Sequence, residues 1–160
     1  MEIPTLAELQ IETLGECQYP SPLDQDGATF VDESRRSCLL NDTRMIEEYL
    51  ATGKPLPSFE RAGPHRRIFF QPKSLTCGIV TCGGICPGLN NVIRSLTLTL
   101  YENYGVRQVL GFRYCYAGLA PDSPFPPIYL GDSDIDNIQG QPGTILGSSR
   151  GPQPVEAMLA

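Results

Sequence analysis

The chain has 160 residues, of which 41% are apolar and 19% charged. This composition suits an ordinary globular domain better than a disordered or fibrous protein. Twelve basic residues against eighteen acidic ones give a net charge of −6, which argues against a protein that wraps nucleic acid. We therefore expect no nucleic-acid partner, and any bound anion must be held locally.

Neither membrane insertion nor secretion is predicted. Apolar runs are interrupted long before the roughly 18 to 20 positions that a membrane span needs. The opening residues, MEIPTLAELQIE, include acidic side chains and no cationic region ahead of an apolar block, so they do not resemble a secretory signal. We expect no membrane partner and a cytoplasmic location.

The six cysteines are expected to be reduced thiols. The chain is large enough to form a core without disulfides, and no export signal is recognised. Cys82 and Cys86 are four positions apart, but no second close pair follows, and the single histidine, His65, is distant. This spacing is poor for zinc, so no metal site is predicted, although a redox or zinc module at Cys82 and Cys86 stays an alternative.

Proline and glycine repeatedly interrupt residues 1–74, which we interpret as an N-terminal extension of short helices and turns. Pro4 to Leu14 could form one helix. Asn41 and Asp42 could cap a second, and its apolar residues would share one face. These are Met45, Ile46, Tyr49 and Leu50.

A basic cluster in this extension surrounds His65. Its arginines are Arg61, Arg66 and Arg67. Such a cluster is most often a solvated edge, and the alternative is a contact with a phosphate or a partner.

The sequence character changes at Leu75, which we take as the start of an α/β domain over residues 75–160. Residues 75–81 are apolar and partly β-branched, which is typical of a buried parallel strand. After the turn 82–88, apolar residues recur at three- and four-residue spacings as far as Tyr104, which predicts a helix. Residues 107–112 are again short and apolar, so residues 75–112 predict a right-handed βαβ unit.

Beyond this unit the elements are shorter. Proline-rich residues 120–127 predict a surface loop, and Ile128–Leu130 predict an edge strand. Asp132 to Asp134 would cap a brief helix through Ile138. A turn at 141–143 leads to the loop 147–152, and residues 155–159 resemble the start of another helix.

The turn 82–88, here called the glycine turn, is the first candidate site. A turn at the carboxyl end of a parallel strand points its N–H groups, and those of the next helix, toward a ligand above the sheet. Bare amides at 83, 84 and 88 would let a phosphate approach closely. The spacing excludes a dinucleotide fingerprint, since Ile85 holds the third place, and a P-loop, since Leu89 and Asn90 follow the last glycine. A tight turn without a ligand remains the alternative.

The loop 147–152, here called the arginine loop, is the second candidate site. Small residues surround Arg150 on both sides. Its planar guanidinium can bind two phosphate oxygens while neighbouring glycines let the ligand approach. A plain surface arginine is the alternative. We predict that the glycine turn and Arg150 converge on one polyphosphate.

Three ordered blocks together resemble the phosphofructokinase family: TCGGICPGLNNVIR (81–94), GFRYCYAGL (111–119) and GTILGSSRGP (143–152). The preceding FERAGPHRRIFF (59–70) is similar to the extension of the longer ATP-using branch found in plants, trypanosomatids and some bacteria. The resemblance implies an α/β fold with a Rossmann-like, doubly wound, mostly parallel sheet, of which these residues would form an incomplete N-terminal part.

The resemblance also implies residue roles. Gly84 would lie against the nucleotide phosphates. Arg150 and Gly151 would line the ATP site, with the arginine facing the transferred phosphoryl group, and Tyr116 would lie near the adenine. These four residues are the predicted nucleotide-binding set.

By resemblance, the chain is the N-terminal part of a 6-phosphofructokinase that phosphorylates fructose 6-phosphate with ATP and Mg²⁺ in glycolysis, as a homo-oligomer when full length. The family's GGDG segment, which serves magnesium, and its PKTIDND segment, which holds the general base, do not occur in these 160 residues. No catalytic residue is therefore predicted here, the magnesium ligand is expected beyond residue 160, and the isolated chain is expected to be inactive. The alternatives are a pyrophosphate-dependent enzyme and a non-catalytic nucleotide-binding or regulatory fragment.

Overall fold

A computed structural model describes residues 4–151 and 153–158. The chain divides into two compact units, residues 1–69 and residues 70–160. This division falls a few residues before Leu75, where the sequence changes character. The two units are described separately.

The first unit contains two small antiparallel sheets, which the sequence did not predict. Strand β1 (Tyr19–Pro20) pairs with β4 (Arg67–Ile68), and β2 (Arg36–Cys38) pairs with β3 (Ser58–Glu60). A 3-10 helix spans Pro22–Asp26. These strands are two or three residues long, so no alternation could reveal them.

One of the two predicted helices of this unit is confirmed. Helix α1 (Thr43–Ala51) begins after Asp42, whose carboxylate accepts a hydrogen bond of 3.2 Å from the Met45 N–H. The prediction over residues 4–14 was wrong, because only residues 6–9 turn. Ile11 and Leu14 are exposed there, and a short helix without a packed apolar face is marginal in water.

The second unit is built on a three-stranded sheet. Its strands are β5 (Thr76–Val80), β6 (Gln108–Phe112) and β7 (Ile128–Tyr129), in the order β5-β6-β7. β5 and β6 are parallel from the pair Thr76 and Gln108 to the pair Val80 and Phe112. β7 is antiparallel to β6, so the described sheet is mixed rather than parallel throughout.

The predicted βαβ unit is confirmed. Helix α2 (Leu89–Leu98) continues into a turn of π-helix at Thr99–Asn103, and the chain then enters β6. Ile93 on α2 is 1% exposed and belongs to the apolar core of this unit. The remaining buried members of that core are Val106, Val109, Leu130, Ile135, Ile138 and Leu146.

Short helical segments complete the second unit. They are 3-10 helices at Pro72–Ser74 and Cys115–Leu119, and single α-helical turns α3 (Asp132–Ile135) and α4 (Val155–Met158). The N-cap of α3 is Gly131 rather than an aspartate, and α3 ends before Ile138. The predicted residue Leu159 of the last helix, and Pro152 of the arginine loop, lie outside the described residues. Among described residues, no helix is long and apolar enough to span a membrane.

The core positions the candidate site through Leu146. This side chain is fully buried, and a Cβ atom at Gly111 of β6 would collide with it. Because Gly111 carries no side chain, the residue just before the arginine loop packs directly on the sheet.

Candidate functional site

The glycine turn and the arginine loop lie side by side. The Gly83 N–H donates a hydrogen bond of 3.2 Å to the Ser149 carbonyl, and the Ser148 hydroxyl donates one of 2.6 Å to the Gly83 carbonyl. A Cβ atom at Gly84 would lie 3.7 Å from Nη2 of Arg150. The structure therefore brings together Gly84 and Arg150, two of the four predicted site residues.

One of the three amides expected to be bare is occupied. The Gly83 N–H is used by Ser149, because a backbone amide without a ligand tends to find a protein acceptor. The Gly84 N–H, in contrast, has no hydrogen-bond acceptor among the described residues. The donors available for an anion are thus Gly84 and the start of α2.

The amino end of α2 is open. Its N-cap, Gly88, has a φ of 93° and no side chain that could satisfy the first N–H groups. The N-terminus of a helix of this length carries a partial positive charge and unpaired donors, which favour an anion. The start of α2, the Gly84 N–H and the Arg150 guanidinium are thus three kinds of hydrogen-bond donor that could bind an anion.

Arg150 and Gly151 are exposed at the tip of the arginine loop. The Arg150 side chain makes no hydrogen bond or ion pair with the described part of the chain. Gly151 has a φ of 126°, and a Cβ atom there would meet no described atom within 4 Å. The guanidinium is therefore free to bind an anion, and the space beside it is open.

Thr81 and Asn90 hold the arginine loop and the segment before it. The Thr81 hydroxyl donates to the Gly147 carbonyl at 2.6 Å and lies 3.1 Å from the Thr144 hydroxyl. Asn90 is 2% exposed; its Nδ2 donates to the Gln141 carbonyl at 3.2 Å, and its Oδ1 accepts from the Ile145 N–H at 2.8 Å. Sequence reasoning missed both roles, since it used Asn90 only to exclude a P-loop.

The chain leaves β6 in an unusual backbone conformation. Tyr114 and Cys115 have φ values of 58° and 61°, a left-handed region that costs non-glycine residues about 1 kcal/mol each. The Tyr114 N–H donates to the Leu146 carbonyl at 2.8 Å, and its carbonyl accepts from the Ser149 hydroxyl at 2.7 Å. Leu146, just before the arginine loop, and Ser149 within it thus hold the N–H and the carbonyl of the strained residue.

A disulfide between Cys82 and Cys115 joins the glycine turn to the segment after β6. The prediction of reduced thiols was therefore wrong for this pair. The two residues are 33 positions apart in sequence but have Cα atoms 4.8 Å apart, and only the parallel pairing of β5 with β6 brings them together. Cys86 is free and exposed, and Cys82, being oxidised, has no thiolate to offer a metal.

Tyr116 lies in the 3-10 helix that begins at Cys115. Its side chain is 43% exposed, and its hydroxyl makes no hydrogen bond with any described residue. The disulfide at Cys115 fixes the start of this helix beside the glycine turn. Tyr116 therefore belongs to the segment that the disulfide joins to the glycine turn, and its ring is accessible.

A cavity of about 360 Å³ opens next to the glycine turn. Its lining combines residues of the turn, the start of α2 and the segment before the arginine loop: Ile85, Cys86, Pro87, Gly88, Asn91, Gly140, Gln141, Pro142 and Gly143. The cavity is thus bordered by one of the two candidate loops.

The basic cluster of the first unit is largely engaged in internal contacts. Arg67 donates to the backbone carbonyls of Cys17 and Gln18, next to β1. Arg66 pairs with Asp24 at 3.1 Å, and His65 with Glu33 at 3.2 Å. These contacts favour a structural role over an anion site.

Comparison with known proteins identifies the family of the second unit. The family model described as "Phosphofructokinase" matches residues 76–159. The chain therefore belongs to the phosphofructokinase family.

Individual relatives extend the match to the first unit. The ATP-dependent 6-phosphofructokinase of Trypanosoma cruzi is 51% identical over 97% of this chain and 33% of that relative. The enzyme of the same name from Amycolatopsis methanolica is 41% identical over 96% of this chain and 35% of that relative. ATP-dependent 6-phosphofructokinase 1 of Arabidopsis thaliana is 37% identical over 83% and 28%, respectively. The chain spans about a third of the length of these relatives.

Proposed function

We propose that these 160 residues are the N-terminal part of an ATP-dependent 6-phosphofructokinase, which transfers the γ-phosphoryl group of ATP to fructose 6-phosphate and yields fructose 1,6-bisphosphate in glycolysis. The observation that carries the proposal is the approach of Arg150 to Gly84, at 3.7 Å from a Cβ position there. The names of the relatives give the donor and the acceptor class.

In this proposal the two loops grip the ATP phosphates. The Gly84 N–H and the open start of α2 donate to phosphate oxygens, and the absence of a side chain at Gly84 lets the phosphates reach the backbone. The Arg150 guanidinium binds two oxygens and faces the transferred group, where charge spreads during in-line transfer. Gly151 leaves room beside it, and Tyr116 lies against the adenine.

Mg²⁺ accompanies ATP in such a reaction, but the residues described here do not form a site for it. Among them, no group of three histidine, cysteine, aspartate or glutamate side chains could hold a metal. From the family resemblance, we propose that the magnesium ligand lies outside these 160 residues, and we derive no step through the ion.

The printed sequence contains neither the GGDG nor the PKTIDND segment of the family, so we propose that this chain binds ATP without transferring its phosphoryl group. The alternative is a non-catalytic nucleotide-binding or regulatory fragment that associates with a full-length relative. A pyrophosphate donor is not favoured, because the relatives reported above are named ATP-dependent.

The proposal extends to the fold, the oligomeric state and the location of the full-length protein. We propose that the β5-α2-β6 unit belongs to a doubly wound, Rossmann-like sheet in a domain that starts at about residue 75, preceded by the N-terminal extension. We also propose a homo-oligomer for the full-length protein. We also propose a cytoplasmic location.

Binding and catalysis can be separated in one set of measurements. Calorimetric titration of the chain with ATP and with pyrophosphate is expected to give tighter binding of ATP, because pyrophosphate lacks the adenine that Tyr116 is proposed to contact. A coupled assay with fructose 6-phosphate is expected to give no turnover. Robust turnover would overturn the claim of incompleteness, and absence of ATP binding would overturn the functional proposal.

A further inference from the structure

The Cys82–Cys115 disulfide is the only covalent link between candidate-site segments within the described residues. Cys82 opens the glycine turn and is exposed, whereas Cys115 starts the 3-10 helix that carries Tyr116 and is 3% exposed. The link therefore couples the segment proposed to hold the phosphates to the segment proposed to hold the adenine.

The disulfide acts on a segment whose backbone is strained. Tyr114 and Cys115 both adopt left-handed φ values, which persist only where the surroundings enforce them. Two hydrogen bonds hold Tyr114: its N–H donates to the Leu146 carbonyl, and its carbonyl accepts from the Ser149 hydroxyl. At Cys115 the disulfide is the corresponding restraint, so its loss lets the start of the 3-10 helix relax.

The glycine turn has fewer restraints than the arginine loop. Its contacts with the loop pass through Gly83, which exchanges hydrogen bonds with Ser149 and Ser148. Gly83 itself has a φ of 83° and no described atom near a Cβ position. Once the disulfide is reduced, the glycine turn stays bonded to the arginine loop but is no longer bonded to the segment that starts at Cys115.

We propose that the Cys82–Cys115 disulfide is a reversible redox modification site, and that its reduction by a dithiol weakens ATP binding by releasing the Tyr116 segment from the glycine turn. The effect on ATP rests on the proposed function. An intracellular disulfide is usually transient and redox-sensing rather than structural, which accords with a cytoplasmic phosphofructokinase.

The chemistry is a thiol–disulfide exchange. A thiolate of the dithiol attacks Sγ of the exposed Cys82, the bond between the two cysteine sulfurs breaks, and Cys115 leaves as a thiolate that takes up a proton. The second thiol of the reagent then displaces Cys82, which also becomes a thiol. The reagent is oxidised to a cyclic disulfide, and the protein gains two electrons and two protons.

ATP titration of the whole chain, before and after reduction with dithiothreitol, tests the proposal. Reduction is expected to raise the Kd for ATP at least about fivefold, the lower end of typical coupling between sites. Cys115→Ser is expected to show the weaker Kd without reductant and no further change with it. Cys17→Ser, which removes a free exposed thiol in the first unit, is expected to respond like the unmodified chain.

Hydrogen exchange supplies a readout that does not depend on ATP. Amides of residues 82–88 and 114–119 are expected to exchange faster after reduction, while those of α1 stay unchanged. Equal ATP affinity in both redox states, or unchanged exchange in these two segments, would overturn the redox proposal. If the oxidised chain binds no ATP, the proposed function fails, and the exchange measurement alone then decides whether the disulfide restrains the turn.

Discussion

The Ser148 hydroxyl donates a hydrogen bond of 2.6 Å to the Gly83 carbonyl. A side chain of the arginine loop thus fixes the backbone of the glycine turn, 65 residues earlier in the chain. The Gly84 N–H and the Arg150 guanidinium therefore lie on neighbouring segments. Neither donor has a protein partner among the described residues. Two loops that are distant in sequence therefore present their donors to one region of space.

Gly84→Ala is expected to impair ATP binding without destabilising the fold. Gly84 is not in the left-handed region, and a Cβ there meets only Arg150, at 3.7 Å, so the free energy of unfolding should stay within about 1 kcal/mol of the original. The methyl group would occupy the space that brings a phosphate to the backbone, and the Kd for ATP should rise about tenfold or more. Calorimetry and urea unfolding measure the two effects. Unchanged affinity would show that the phosphates do not approach Gly84.

Asn90→Ala is expected to lower the free energy of unfolding by about 2 to 3 kcal/mol, because it leaves the Ile145 N–H unpaired and opens a small void. Asn91→Ala is the matched control, since Asn91 is exposed and makes one hydrogen bond, of 2.9 Å, from the Gly140 N–H. That variant should lose about 1 kcal/mol or less. Urea unfolding of both compares them, and equal losses would contradict a special role for the buried Asn90.

Cys115→Ser is expected to lower the free energy of unfolding by about 3 to 4 kcal/mol, the chain-entropy value for a loop closed over 33 residues. The comparison is made without reductant. In the presence of dithiothreitol the variant and the original chain should unfold at similar urea concentrations. A variant as stable as the oxidised chain would contradict a net stabilising effect of the disulfide.

Cys77 is expected to react slowly with iodoacetamide until the pH is well above that needed for an ordinary thiol. Partial burial against the apolar core of the second unit raises the pKa of the Cys77 thiol, so less of the reactive thiolate is present at a given pH. Mass spectrometry of labelled peptides across a pH series gives the rates, with the exposed Cys38 as the internal reference. Equal labelling of both cysteines near pH 8 would contradict this expectation.

The regular elements of the second unit could be predicted from the sequence because their apolar residues form recognisable patterns, a short continuous run for each strand and a three- and four-residue spacing for α2. The strand before the glycine turn, α2 and β6 all follow from these patterns. The approach of Arg150 to Gly84 could also be expected, since both were given roles in one phosphate site. The strands of the first unit, only two or three residues long, carry no such pattern and escaped detection.

Other features depended on tertiary contacts that no local pattern records. The Cys82–Cys115 pair forms because β5 and β6 are adjacent and parallel, so that the carboxyl ends of the two strands lie side by side. Asn90 becomes a buried bridge only because the segment 141–145 passes over the start of α2. The Gly83 amide, expected to be bare, is claimed by Ser149 because the two loops touch.

Calorimetric titration of MgATP into the oxidised chain and two arginine variants tests the central claim most directly. Arg150→Ala is expected to raise the Kd about tenfold to a hundredfold, the value of a charge-assisted hydrogen-bond pair. Arg107→Ala, which removes an exposed arginine of the second unit with no described partner, should leave the Kd unchanged. Equal affinity of the Arg150→Ala variant and the original chain would contradict the assignment of the two loops to one polyphosphate.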